Sequence, residues 1–310
     1  MENQKPQSVS VVVPVYNGMD TLEELTSRIV NVMQPTGLPY EILFINDGSP
    51  DDSWTVIENL ASVHSEVRGI RLMRNYGQHN ALLCGIRSAK YEVIITLDDD
   101  LQHPPEEIPL FLDKLAEGYD VVYGIPKKMP HSWWRNLTSL AAKKMISMII
   151  GKKTIREIGS FRAFRTNLRK AFVNYRNPGI IIDPLLSWGT TRFASIPVDE
   201  NPRDIGISNY NFRRLFSLVF LILTGYSTFP LRFASIMGFS LTFIGLGAFL
   251  YVLIISLTQG SVPGFPFLAS IILLFSGTQM FTLGIFGEYL ARIFDHSMDR
   301  PPYIIDHETP

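Results

Sequence analysis

Apolar positions follow a short period and then a longer one, several times over, in the first hundred residues. Val9 to Val13 (VSVVV) is a continuous β-branched run ended by Pro14, the pattern of a strand buried on both faces. Thr21 to Met33 then places Leu22, Leu25, Ile29 and Val32 on one helical face. The same alternation predicts strands at Glu41 to Ile45, Val67 to Leu72 and Val93 to Leu97, with helices at Ser53 to Val63 and Gly77 to Ala89. Strands that alternate with helices predict a mostly parallel sheet covered on both faces, with ligands outside the carboxyl ends of its strands.

The pattern changes in the last third. No Asp, Glu, Lys or Arg stands between Arg232 and Glu288. Phe233 to Leu257 and Phe267 to Gly287 are each long enough to span a bilayer, which needs about 20 residues. The Gly- and Pro-rich stretch Thr258 to Pro266 can turn between them. Leu215 to Pro230 has a short apolar centre broken by Gly225 and Pro230, and predicts an interfacial helix, with a third span as the alternative. Trp133 and Trp134, with Ala141 to Ile150, fit either an amphipathic helix at the membrane surface or a packed domain helix.

The expected organisation is a cytosolic catalytic domain over 1–212, an interfacial helix or linker over 213–231, a transmembrane hairpin over 232–295 and a cytoplasmic tail over 296–310. Arg213, Arg214 and Arg232 precede the first span, Arg292 and Arg300 follow the second, and the connecting loop carries no charge. The positive-inside rule then places both termini in the cytoplasm, in an integral protein of the inner membrane. The first ten residues carry no apolar run, so no cleavable signal peptide is expected. Cys84 is the only cysteine, so no intrachain disulfide guides the fold. A net charge of −1 lacks the basic excess of a nucleic-acid binder.

Candidate chemistry gathers where the strands end. Tyr16 and Asn17 follow the first, Asp47 the second, and Asp98, Asp99 and Asp100 the fourth. Aspartate also favours turns, but three ends of one sheet carrying such groups point to a site. Three carboxylates against a dry strand repel one another unless a cation neutralises them. In a continued strand Asp98 and Asp100 would point the same way, with Gln102 repeating the spacing. Such oxygen ligands suit Mg²⁺ or Mn²⁺ bridged to substrate phosphates. No Walker-type phosphate loop is present, which argues against an ATPase of that kind.

The segments VVVPVYNG, FINDGSPDDS, LMRNYGQHNALLCG and ITLDDDLQHPPE together resemble the family 2 glycosyltransferases of GT-A (Rossmann-like) fold. The nearer resemblance is to the polyprenyl-phosphate hexosyltransferases, which include bactoprenol glucosyltransferases and dolichol-phosphate mannose synthases. The resemblance implies that Pro14, Tyr16, Asn17 and Asp47 hold the nucleotide, and that Asp98, Asp100 and Gln102 bind the metal that carries the donor diphosphate. It implies that the segment from Arg156 to Arg162 faces sugar and acceptor, with Glu157 as candidate base where many relatives carry Asp. Asn201 to Tyr210 resembles a loop reading G-x-S-K-Y in relatives. Asn209 replaces its lysine, so phosphate contact falls to Arg203, Ser208 or Arg213, with Arg214 beside it.

The reaction so implied moves one hexose, with inversion, from a nucleotide sugar, UDP-glucose first, to undecaprenyl phosphate for cell-envelope glycosylation. GDP-mannose, UDP-N-acetylglucosamine and a UDP-aminopentose are the alternative donors. The Q-x-x-R-W signature of processive synthases is absent, which favours single-sugar transfer. A transporter is disfavoured because two spans without charge offer no pathway, and a non-catalytic scaffold because the aspartates are intact. The resemblance also implies a homo-oligomer among membrane lipids.

Overall fold

The structure is a computed structural model that describes residues 5–127, 159–176, 180–199, 229–259 and 264–309. The chain divides into two compact units, Met1–Asn209 joined by Asp299–Pro310, and Tyr210–Met298.

In the first unit, β1 (Val9–Val15), α1 (Leu22–Met33), β2 (Tyr40–Asn46), α2 (Ser53–Val63), β3 (Val67–Leu72), α3 (Gln78–Ser88) and β4 (Val93–Thr96) follow the expected order. After them come α4 (Ile108–Ala116), β5 (Val121–Pro126), β6 (Arg162–Arg165), α5 (Ile182–Gly189), β7 (Phe193–Val198) and, at the end of the chain, β8 (Ile305–Glu308). Among the described residues one sheet runs β7-β5-β6-β4-β1-β2-β3-β8. β1, β2, β3 and β4 pair in parallel, as do β5 and β7, whereas β6 is antiparallel to both neighbours and β8 to β3.

β1 is central and buried along its whole length, which is why its sequence has no polar face. Leu22, Leu25, Ile29 and Met33 of α1 are fully buried in the core that includes Val11, Val13 and Phe44. Each such side chain contributes about 1.5–3 kcal/mol by leaving water. β2 lies on one side of β1 and β4 on the other. The order of the sheet reverses there, and a crevice opens above the carboxyl ends of these strands.

The segment expected as a cytoplasmic tail over 296–310 contributes β8 to this sheet. β8 pairs with the outer edge of β3, Arg71 pairs with Asp306, and the Gly69 N–H donates to Thr309 Oγ1 at 2.8 Å. Met73 N donates to the Ile304 carbonyl at 3.0 Å, and His307 packs edge-on against Trp54. The strand covers backbone groups that an open edge would expose.

The tail also touches α3, where burial, with Glu308 second, pushes the Cys84 thiol up to about 12. Native protein should therefore resist iodoacetamide at about pH 8, because the thiolate is scarce. Ending the chain at Met298 should speed Cys84 alkylation about tenfold or more. Equal rates in the two proteins would show that the tail does not shield α3.

The second unit contains α6 (Phe229–Gln259) and α7 (Phe265–Ser297). They pack on one another, with the Phe275 ring against Gly245. Phe239, Phe243, Leu250 and Leu257 are exposed. Among the described residues one helix, through the window Pro230–Gly247, is long and apolar enough by composition to cross a membrane. The sequence predicts two such helices. The expected segments Trp133, Trp134, Ala141 to Ile150, and most of Leu215 to Pro230 lie outside the described residues.

Candidate active site

A cavity of about 300 Å³ lies at the carboxyl ends of the strands, lined by Pro14, Val15, Tyr16, Asp47, Asn75, Gly77, Gln78, Asp98, Asp99 and Asp100. Three strand ends and the start of α3 therefore meet in one place.

Asp47 follows β2 and is buried. Its two oxygens accept the Tyr76 and Gly77 N–H groups at 2.7 and 2.8 Å. Burial raises its pKa, and those two bonds oppose the rise. Gly48 lets the chain turn back beside this segment. Its φ is +63°, and a Cβ there would lie 2.5 Å from the Arg74 carbonyl carbon and 2.6 Å from Asn75 N. Gly48→Ala should cost roughly 2–4 kcal/mol from left-handed backbone strain and backbone overlap. Thermal unfolding within about 1 °C of wild type would contradict this.

The aspartates sit on a turn and not on a continued strand. β4 ends at Thr96, and Leu101 has φ +58°, so the two-residue alternation expected across Asp98, Asp100 and Gln102 is broken. All three aspartates line the cavity even so. Gln78 Nε2 donates to Asp98 Oδ1 at 2.6 Å, which ties the start of α3 to the turn. Asp100 Oδ1 accepts the Gln102 N–H at 3.2 Å. The Gln102 side chain is not part of the lining.

Asp99 is the tie between β1 and β4. Its Oδ2 accepts the Tyr16 N–H at 3.2 Å, and a Cβ on Gly18 would lie 2.5 Å from that oxygen. Burial pushes Asp99 up to about 7, the Tyr16 N–H opposes the rise, and the Asp98 and Asp100 charges add to it. A proton or a nearby cation relieves this repulsion.

The donor set fits a hard divalent cation, because Asp98 and Asp100 offer oxygens to an open cavity. Among the described residues no three His, Cys, Asp or Glu side chains could enclose an ion by themselves. Magnesium typically takes one or two carboxylates and completes its shell with water and substrate phosphate.

The cavity brings together five of the expected residues, Pro14, Tyr16, Asp47, Asp98 and Asp100. Asn17, with φ +57°, donates its N–H to Ser49 Oγ at 3.2 Å and lies outside the lining. Arg162 departs from its expected place. It is 1% exposed and committed to Asp183 and Thr96, because the sheet places the first residue of β6 against Thr96. Glu157, Arg203, Ser208, Arg213 and Arg214 lie outside the described residues. Asn75, Gly77 and Gln78 were not anticipated. Their signal was Gly77 before a helix that follows a strand, which reads as an ordinary helix start.

The model of glycosyl transferase family 2 matches residues 10–172. The chain is 37% identical over 307 residues to the undecaprenyl-phosphate 4-deoxy-4-formamido-L-arabinose transferase of Klebsiella pneumoniae (strain 342), covering 96% of this chain and 93% of the relative. Among solved structures, glucosyl-3-phosphoglycerate synthase of Mycobacterium tuberculosis, in complex with Mn²⁺, UDP and phosphoglyceric acid, superimposes with TM-score 0.51. It is 18% identical and is matched over 70% of this chain and 76% of its own. Mannosyl-3-phosphoglycerate synthase of Rubrobacter xylanophilus matches with TM-score 0.52 at 16% identity, over 70% of this chain and 72% of its own. At these identities the two structures speak for the shared fold.

Proposed function

This chain belongs to glycosyl transferase family 2, and from that premise we propose that it transfers a single sugar from a nucleoside diphosphate donor to undecaprenyl phosphate at the cytoplasmic face of the membrane. The observation that carries the proposal is the single cavity shared by Asp47, Asp98, Asp99 and Asp100. It combines a nucleotide-sized recess with carboxylates able to hold a cation over a diphosphate. The acceptor follows the Klebsiella relative, whose name includes undecaprenyl phosphate. The name of that relative also favours 4-deoxy-4-formamido-L-arabinose as the transferred sugar over the glucose implied by the resemblance.

Pro14, Tyr16 and Asp47 hold the nucleoside in this reading, and Gln78 keeps Asp98 turned toward the diphosphate. A bound Mg²⁺ or Mn²⁺ would neutralise charge on the leaving nucleoside diphosphate. A phosphate oxygen of the lipid attacks the anomeric carbon as the bond to the diphosphate breaks, which inverts that carbon. The acceptor is already ionised, so Glu157 has little proton to remove and its larger part is orientation. Arg203, Ser208, Arg213 and Arg214 clamp the lipid phosphate.

α6 and α7 both cross the membrane in this reading, and two observations support it. Their exposed phenylalanines and leucines need an apolar surrounding. The chain returns from them to the catalytic sheet through β8, so the crossings are even in number. Assembly into a homo-oligomer is part of the same proposal.

The test uses detergent-purified protein with UDP-glucose, UDP-4-deoxy-4-formamido-L-arabinose, GDP-mannose or UDP-N-acetylglucosamine. One donor should release its nucleoside diphosphate only when undecaprenyl phosphate and a divalent cation are both present, and EDTA should stop it. Release that ignores the lipid, or no release from any donor, would overturn the proposal.

A further inference from the structure

Arg162 is the largest fully buried side chain among the described residues, and the groups around it join five elements of the catalytic unit. Its Nη1 donates to Asp183 Oδ1 in α5. The Tyr123 hydroxyl of β5 donates to the same oxygen at 3.0 Å, and burial holds that phenol protonated. Arg162 Nε donates to Thr96 Oγ1 at 3.0 Å, and the Thr96 hydroxyl donates onward to the Ser160 carbonyl at 2.8 Å. Thr96 ends β4 two residues before Asp98, and Ser160 stands three residues after Glu157. On α3, His79 follows Gln78, the residue that donates to Asp98. Burial lowers the pKa of His79, and Asp183, Arg162 and Asp98 are the charges that act on it.

Stability alone is a poor reason for such a cluster. Apolar replacement of a buried ion pair is often neutral or stabilising, whereas removing one partner leaves an uncompensated charge. What the pair supplies that apolar packing cannot is fixed direction. The Thr96 hydroxyl accepts from Arg162 and donates to Ser160, so one side chain ties the strand leading into the aspartate turn to the backbone at Ser160.

We propose that Asp183 and Tyr123 are positioning residues which act through Arg162 and Thr96 to hold the donor-side aspartate turn and the backbone at Ser160 in one fixed relation. The inference rests on the proposed reading that the segment from Arg156 to Arg162 faces sugar and acceptor, with Arg162 itself turned inward to Asp183 and Thr96. It predicts that donor binding, made by the turn and the strand ends alone, is separable from turnover, which needs both sides aligned. Misplacement of about 1 Å costs about a hundredfold in rate.

The experiment compares wild type with Thr96→Val, Tyr123→Phe, Asp183→Asn and the apolar double variant Arg162→Met/Asp183→Leu. UDP with Mn²⁺ is the binding probe, and transfer to undecaprenyl phosphate is measured at saturating donor. The double variant and Thr96→Val should bind UDP within about threefold of wild type while kcat falls about a hundredfold. Tyr123→Phe should fall less, since Arg162 still pairs with Asp183. A double variant that binds UDP and keeps kcat within about threefold overturns the proposal, as does loss of UDP binding in step with kcat. Thr96→Val decides the matter should the double variant not fold, because it keeps the β-branched shape and removes only the hydroxyl.

Hydrogen exchange tests the cluster without turnover. In Thr96→Val the amides of residues 97–102 and 159–161 should exchange about tenfold faster, with those of β1 and β2 unchanged. Uniform acceleration across the sheet would mark a merely structural role and overturn the inference. A wild type that binds UDP without transferring sugar would defeat the proposed function and leave this exchange test decisive for the cluster.

Discussion

Asp100→Ala should lower sugar transfer by roughly three orders of magnitude or more while the protein unfolds at or above the wild-type temperature. Asp98, Asp99 and Asp100 share one turn at the cavity, and burial already pushes Asp99 up to about 7. Removing one charge relieves repulsion in the folded state, which offsets the lost acceptor for the Gln102 N–H. Activity falls, because one of two carboxylates that can hold a cation over the donor diphosphate is gone. Asp98→Ala should behave alike in activity but also release Gln78 from the turn. Steady-state transfer and a melting curve on the same preparation check the pair. Near-wild-type turnover in Asp100→Ala, or full activity of wild type in excess chelator, would remove the cation from the account.

The second large effect is topological. A cysteine replacing Ser261 should react with an impermeant thiol reagent added outside intact cells, and one replacing Ser297 only after permeabilisation. Native Cys84 is buried with its thiol pushed up to about 12, so it stays silent in both. β8 belongs to the same sheet as β1 to β4, so in the proposed reading the chain returns to the side from which it entered the membrane. The reverse labelling would place the nucleotide site away from cytosolic donors. Labelling of both positions from outside would mean that α6 and α7 do not cross.

β1 and β4 were legible because a parallel strand buried on both faces is apolar at nearly every position, whereas β3, which carries Arg68 and Arg71, was placed by the regular alternation of strands and helices. β6 was not, because its four residues read Arg-Ala-Phe-Arg. Its first arginine is buried only because Asp183, far along the chain, supplies a partner. β8 was hidden for the opposite reason. Its residues are all exposed, and its pairing depends on the free edge of β3, which no local pattern reports.

At the site, position was easier to read than orientation. The ends of β1, β2 and β4 were foreseen as one cluster, and the cavity gathers them. The strand rule failed at Asp98 to Asp100 because the chain leaves the sheet at Thr96 and turns through Leu101 in the left-handed region. Arg162 was expected to face sugar and acceptor because the resemblance placed the segment from Arg156 to Arg162 there. Only the tertiary fold shows that Asp183 and Thr96 already occupy it.

The most direct measurement is the mass of the lipid after reaction. Purified protein, undecaprenyl phosphate, Mg²⁺ or Mn²⁺ and the donor that releases nucleotide are incubated, and the lipid is extracted for mass spectrometry. The account predicts undecaprenyl phosphate carrying one sugar residue, formed in equal amount to the released nucleoside diphosphate. Unmodified lipid beside free sugar, or a lipid bearing a ladder of sugars, would contradict it.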